Sequence, residues 1–223
     1  VTTEKGISSD IQNRDTLLVS FGGINQGLGM PVFEFARSIA SVECDKLYLR
    51  DFAQQWYQKG IDSEIDNIAS LINLLKATIN ERKYKKVCFL GNSMGGYAAI
   101  LFGTILNVDT IVSFSPQTYI DKWNRFLYWD RRWKQQISEV HKNSMKISEY
   151  FDLRSCLSKH TYRTQIDIYY SPKHRLDKTY ANRLKNLPNV NLKPIDKGGH
   201  AIIKTIRDEG RLLALINNAL LTT

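Results

Sequence analysis

Cysteine, acidic charge and long apolar runs are all in short supply in this chain, and each shortage removes a class of protein. Three cysteines, Cys44, Cys88 and Cys156, cannot all pair, and none forms a Cys-x-x-Cys motif. The thiols therefore read as reduced, and the expected compartment is the cytoplasm. No apolar run approaches the roughly 20 residues that a membrane-spanning helix requires. No secretory apolar segment is visible either, although the chain opens on Val1 and so leaves an upstream segment open. A phosphate-binding glycine loop ending in Lys-Ser/Thr is missing, and the glycines at 22, 23, 27 and 29 do not make a dinucleotide fingerprint. The four histidines lack metal-ligand spacing, so no metal is expected. No nucleic-acid module accompanies the basic residues, which excludes nucleic acid as the expected partner. No internal repeat, low-complexity tract or linker divides the chain, so residues 1–223 are expected to form one domain.

Acidic residues number 22 against 31 Lys and Arg, giving a formal net charge of +9. Such an excess predicts attraction to anions: a charged polysaccharide, a phosphorylated cofactor or an anionic membrane surface. It also serves plain solubility. A location at the membrane periphery is compatible with it.

What is present alternates between strand and helix, the pattern of a mostly parallel central sheet flanked by helices. Strands are expected at Thr16–Phe21, Lys46–Leu49, Val87–Leu90, Thr110–Phe114, Gln165–Tyr170 and Val190–Pro194. Ile61, Ile65, Ile68, Ile72, Leu75 and Ile79 mark the apolar face of a helix, with Ser63 and Asp66 as its expected capping box. Later helices are expected from Lys178 to Asn186 and from Ile202 to Leu221. Between about 119 and 150 the rhythm breaks into aromatic and charged residues, and this stretch reads as an inserted, mostly helical lid.

The most informative five residues are Gly91-Asn92-Ser93-Met94-Gly95. An apolar strand precedes them, and the small-residue helix Gly96-Tyr97-Ala98-Ala99 follows. A serine on a sharp strand-to-helix turn, with glycines two positions either side, is a nucleophile elbow. The helix N-terminus beneath the hydroxyl favours developing negative charge. A nucleophilic serine needs a base, and His200 in Lys197-Gly198-Gly199-His200 is the best-placed histidine, although it also reads as a turn histidine opening a helix.

With these residues in order, the chain resembles the α/β-hydrolase superfamily from the Thr16 strand to the final helix, with its first strands missing or reduced. The resemblance implies an acid after the Gln165–Tyr170 strand. Where many members carry it, this chain has His174, so Asp177 is the expected acid. Its plainer reading is a helix N-cap, and Asp196 and Asp121 are the fallbacks. The resemblance further implies an oxyanion hole from the backbone N–H of Met94 and of Gly23, with Ile24 as the alternative second donor.

Chemistry of this kind makes and resolves an acyl-serine, with water or a sugar hydroxyl as the second nucleophile. In the lid, Trp123, Trp129 and Trp133 are interspersed with basic residues, among them Arg131 and Arg132. Flat rings suit sugar faces and guanidinium groups suit phosphates and carboxylates, so these five are the expected substrate-binding residues. The tryptophans equally read as anchors of the lid. More distantly the chain resembles capsule polysaccharide O-acetyltransferases of this fold. That implies an O-acetyltransferase moving acetyl from acetyl-CoA to a hydroxyl of an anionic bacterial polysaccharide, with no permanently bound cofactor. The alternatives are a carboxylesterase, sugar deacetylase or thioesterase and, from another class, a non-catalytic glycan-binding domain.

Overall fold

A computed structural model describes residues 6–24, 33–142, 148–159 and 161–221. Seven strands form one sheet: β1 (Ile7–Asp10), β2 (Thr16–Phe21), β3 (Asp45–Leu49), β4 (Lys86–Asn92), β5 (Thr110–Phe114), β6 (Gln165–Tyr170) and β7 (Val190–Pro194). Their spatial order is β1-β3-β2-β4-β5-β6-β7. Only β1 runs antiparallel, pairing with β3 at one edge. The central strands read as near-continuous apolar runs because both sheet faces are covered. On one face Leu17, Val19, Phe89 and Ile111 pack beneath α1 (Ile68–Arg82) and α2 (Met94–Leu106). On the other, Leu18, Cys88, Leu90 and Val112 pack beneath α7 (Ile202–Asp208) and α8 (Leu212–Leu221). All three cysteines are free and buried.

Three expected helices start or break elsewhere, each for a local reason. Helix α1 begins after Asn67, whose side chain accepts from Ser70 N while Ser70 Oγ answers Asn67 N, so the capping box lies four residues beyond Ser63–Asp66. Ile61 and Ile65 are outside the helix. Asp62 accepts from Glu64 N and Ile65 N, and this local bonding competes with helix formation. The closing helix breaks into α7 and α8 at Gly210, where φ is +70°. Helix α6 (Arg175–Leu184) starts three residues earlier than expected because His174, not Asp177, is its N-cap.

The segment between β5 and β6 holds α3 (Lys122–Leu127), α4 (Lys134–Lys142) and α5 (Leu153–Ser158). It is tied to the body through Tyr119, Ile137, Val140, Phe151 and Leu153, all buried. The parallel topology brings the C-terminal ends of β2, β4 and β6 to one rim of the sheet, where open α/β sheets place their sites.

Candidate active site

Strand β4 ends and α2 begins within one residue, and Ser93 sits at that corner with φ +54° and ψ −113°. A side chain at this φ is strained, so its surroundings must hold it. Ser93 N donates to Phe114 O at 2.9 Å and Tyr97 N to Ser93 O at 3.1 Å. The tight approach also requires bare backbone nearby. A Cβ on Gly91 would lie 2.1 Å from Gly95 O, and one on Gly95 would lie 2.1 Å from Phe21 O.

Helix α6 follows β6 by a short turn, and Asp177 in its first turn is 1% exposed. His200 arrives on the short turn Gly199–Ala201, with Gly198 and Gly199 both at positive φ. His200 Nδ1 lies 2.8 Å from Asp177 Oδ1, and its Nε2 lies 3.3 Å from Ser93 Oγ. Residues 93, 177 and 200 thus form one hydrogen-bonded line drawn from three separate segments of the chain. Asp196 is exposed, and Asp121 instead caps α3 by accepting from Asn124 N.

Asp177 carries a second imidazole that the sequence placed nearby without assigning a task. His174 Nδ1 lies 2.9 Å from the same Oδ1 and 3.3 Å from Asp177 N. An unprotonated Nδ1 accepts from the backbone; a protonated one donates to the carboxylate. Asp177 Oδ2 is buried with no partner in hydrogen-bond range. Among the described residues, His174, Asp177 and His200 are also the group whose ligand atoms lie close enough together, within 4.8 Å, to hold a metal. Their mutual contacts at hydrogen-bond distance already occupy Oδ1 and both Nδ1 atoms.

The expected oxyanion donors fare differently. Met94 opens α2, so its N–H lies among the helix-terminal donors that have no intrahelical partner. Gly23 N–H instead donates to Glu34 Oε2 at 2.7 Å, which corrects its reading as a free donor. Glu34 Oε1 also accepts from Asn92 Nδ2 at 3.0 Å. Burial pushes the Glu34 carboxyl above its ordinary range, against the pull of these two donors. No short motif betrays Glu34; its position follows from the folding of residues 33–42 over the rim.

Beside Ser93 and His200 opens a cleft of about 520 Å³. Ile24, Phe35, Ile203 and Leu212 give it apolar walls, and Arg37, Lys204 and Arg207 a cationic rim. Sequence reasoning missed these three cations because Arg37 lies on an exposed turn and Lys204 and Arg207 on the exposed side of α7, all outside any motif.

Of the five expected substrate contacts, the structure brings Trp133 alone into this cleft. Arg132 is tied to Asp130, with Nε 3.2 Å from Oδ1, and its guanidinium lies over the Tyr180 ring. Burial pushes the Asp130 carboxyl up, but Arg132 and the Tyr180 hydroxyl hold it below the ordinary carboxylate range. Trp123 and Trp129 are exposed and anchor nothing, and Arg131 stacks on Trp129 at 5.1 Å. Trp129 and Arg131 line a separate groove.

No family model and no curated protein matches the chain by sequence. Solved structures do match by shape. The capsule O-acetyltransferase of Neisseria meningitidis serogroup A superposes with a TM-score of 0.72 at 18% identity, over 95% of this chain and 90% of that one. A histidine-to-alanine mutant of that enzyme in complex with CoA gives 0.69, also at 18% identity, over 92% and 89%. Acetyl xylan esterase 1 from Thermoanaerobacterium sp. gives 0.60 at 13% identity, over 95% and 77%. The architecture of this chain is the α/β-hydrolase fold, shared with acyltransferases and esterases, and its structural neighbours include a capsule O-acetyltransferase.

Proposed function

We propose that the chain is a serine-dependent O-acetyltransferase that moves acetyl from acetyl-CoA to a hydroxyl of an anionic polysaccharide. The observation that carries this reading is the line Asp177–His200–Ser93 opening onto a cleft with a cationic rim. Ser93 Oγ attacks the thioester carbonyl while His200 Nε2 takes its proton, and Asp177 orients the imidazole and offsets its charge. The carbonyl oxygen becomes an oxyanion facing Met94 N–H. Because Glu34 holds Gly23 N–H, the second donor passes to Ile24 unless Glu34 moves aside. His200 returns its proton to the departing thiolate, leaving acetyl on Ser93. An acceptor hydroxyl then gives its proton to His200 and attacks the acetyl carbonyl; the bond to Ser93 Oγ breaks, and His200 passes the proton to that oxygen, restoring the serine.

The cationic rim of Arg37, Lys204 and Arg207 suits both the phosphates of a CoA donor and the acidic groups of the acceptor. The fold shared with a CoA-binding capsule O-acetyltransferase supports the same choice. A second reading, ester hydrolysis, is favoured by the likeness to an acetyl xylan esterase. Incubation with acetyl-CoA, with and without acidic glycans, separates the two. Transfer predicts slow thiol release that a suitable glycan accelerates, with acetyl recovered on the polymer. Fast release indifferent to every glycan would overturn it in favour of hydrolysis.

A further inference from the structure

The helix α3, Lys122-Trp123-Asn124-Arg125-Phe126-Leu127, is turned inside out. Its buried residue is Asn124, while Trp123 is 70%, Phe126 75% and Leu127 52% exposed. Trp129, just beyond, is 68% exposed. Of six large apolar side chains exposed among the described residues, these are four, gathered within seven positions. Monomeric soluble domains rarely leave so compact an apolar patch facing water without a use for it.

The orientation is enforced by specific contacts. Asp121 accepts from both the backbone and side-chain nitrogens of Asn124, at 2.8 and 2.7 Å. Arg125 reaches inward to Arg132 O at 2.5 Å and lies 3.7 Å from Asp130. Trp129 is held at φ +54°, a strained conformation for a bulky residue, by hydrogen bonds on either side of it. Polar anchors point in and rings point out.

Around the rings stand exposed Lys122, Arg131 and Lys134, none of them in an ion pair among the described residues. The nearby carboxylates are engaged: Asp130 is buried against Arg132, and Asp121 caps the helix. A second copy of the same face would bring like charges together, which argues against a symmetric dimer here. A polysaccharide would satisfy the cations and stack on the tryptophans. It would leave Phe126 and the aliphatic Leu127 without a purpose.

Tryptophan and phenylalanine flanked by lysine and arginine match a bilayer interface, with rings at the acyl boundary and cations at the phosphates. We infer that this face docks the protein on a membrane surface rich in anionic phospholipid. The groove of Trp129 and Arg131 and the cleft of Ser93 have separate linings, so this docking does not depend on the acyl-transfer reading.

The test is co-sedimentation of the full chain with vesicles of phosphatidylcholine, alone or mixed with phosphatidylglycerol. Binding is expected to the mixed vesicles, weakening as salt rises. Brominated lipid should quench part of the tryptophan emission, since Trp56 is buried while Trp123 and Trp129 are exposed. Trp123→Ala with Phe126→Ala should lower partitioning at least about tenfold. Each of Lys122→Glu, Arg131→Glu and Lys134→Glu should lower it roughly fivefold or more. Circular dichroism and the thermal midpoint report whether each variant still folds, and quenching of the unaltered protein stands without any variant. The inference is overturned if the protein ignores mixed vesicles at low salt, or if folded variants bind as the parent does. It is equally overturned if the patch supports only self-association, or only retention on acidic polysaccharide.

Discussion

Helices α2 and α3 both begin at a corner of the chain and face opposite worlds. In α2, every residue from Met94 to Thr104 is buried. In α3, the single buried residue is an asparagine and the apolar side chains face solvent. The contrast shows that composition alone does not choose the inward face of a helix. Steric necessity chooses for α2, because only small residues allow it to approach β4 and β5 so closely. Hydrogen bonds choose for α3, because Asp121 and Asp152 both lie within bonding distance of Asn124 Nδ2.

The most severe break of this contrast is chemical. Ser93→Ala should reduce acyl transfer by roughly 10⁴-fold or more while the thermal midpoint holds, and His200→Ala should do nearly the same. Asp177→Asn should cost on the order of 10³- to 10⁴-fold. Thiol release and the mass of the acylated protein report each. If Asp177→Asn retained near-parental turnover, His174 or another group would be orienting the base.

Next in size is the steric requirement of α2. Gly95→Ala puts a Cβ where 2.1 Å separates it from Phe21 O, and should destabilise by about 3 kcal/mol or more. Denaturant midpoints measure it. A loss under about 1 kcal/mol would mean that the elbow is looser than its geometry.

A comparable term depends on pH rather than packing. Asp51 is buried and accepts from Gln55 N and Tyr57 N; burial, outweighing these bonds, raises its carboxyl to about 6. The folded protein therefore keeps a proton on Asp51 that the unfolded chain loses near pH 4. Stability should fall as pH rises through that window, by on the order of 3 kcal/mol. Asp51→Asn should flatten this part of the profile, and thermal melts across pH 4 to 7 would reveal an unchanged slope if the assignment fails.

The smallest effects separate the two sides of α3. Asn124→Leu removes hydrogen bonds from a buried site and should cost about 1–3 kcal/mol. Trp123→Gln, on the exposed side, should stay within about 0.5 kcal/mol. Were the two costs reversed in chemical denaturation, the helix would sit the other way round in solution.

Much of the fold was legible because its signals are local. Six strands announce themselves as apolar runs or as alternating apolar and polar residues, and the elbow as glycines around a serine, since strain at Ser93 demands particular neighbours at fixed spacing. Asp177 was harder to read: as a turn residue it looks like an N-cap, and only the capping role of His174 frees it to face His200. The five lid residues show the limit most clearly. They fall within eleven positions of one another, yet Trp133 enters the cleft, Arg132 is tied to Asp130, and Trp123, Trp129 and Arg131 turn elsewhere.

The sequence by itself determined the alternation of strand and helix, the bend at Ser93 and the serine and histidine best suited to its chemistry. These rest on interactions within a few residues, or on backbone conformations that few residue types tolerate. Tertiary structure alone decided that Glu34 takes the Gly23 N–H, that two histidines share Asp177, and that α3 presents its rings to solvent. Those outcomes depend on which distant donors and acceptors meet once the sheet has formed, and no local pattern carries that information.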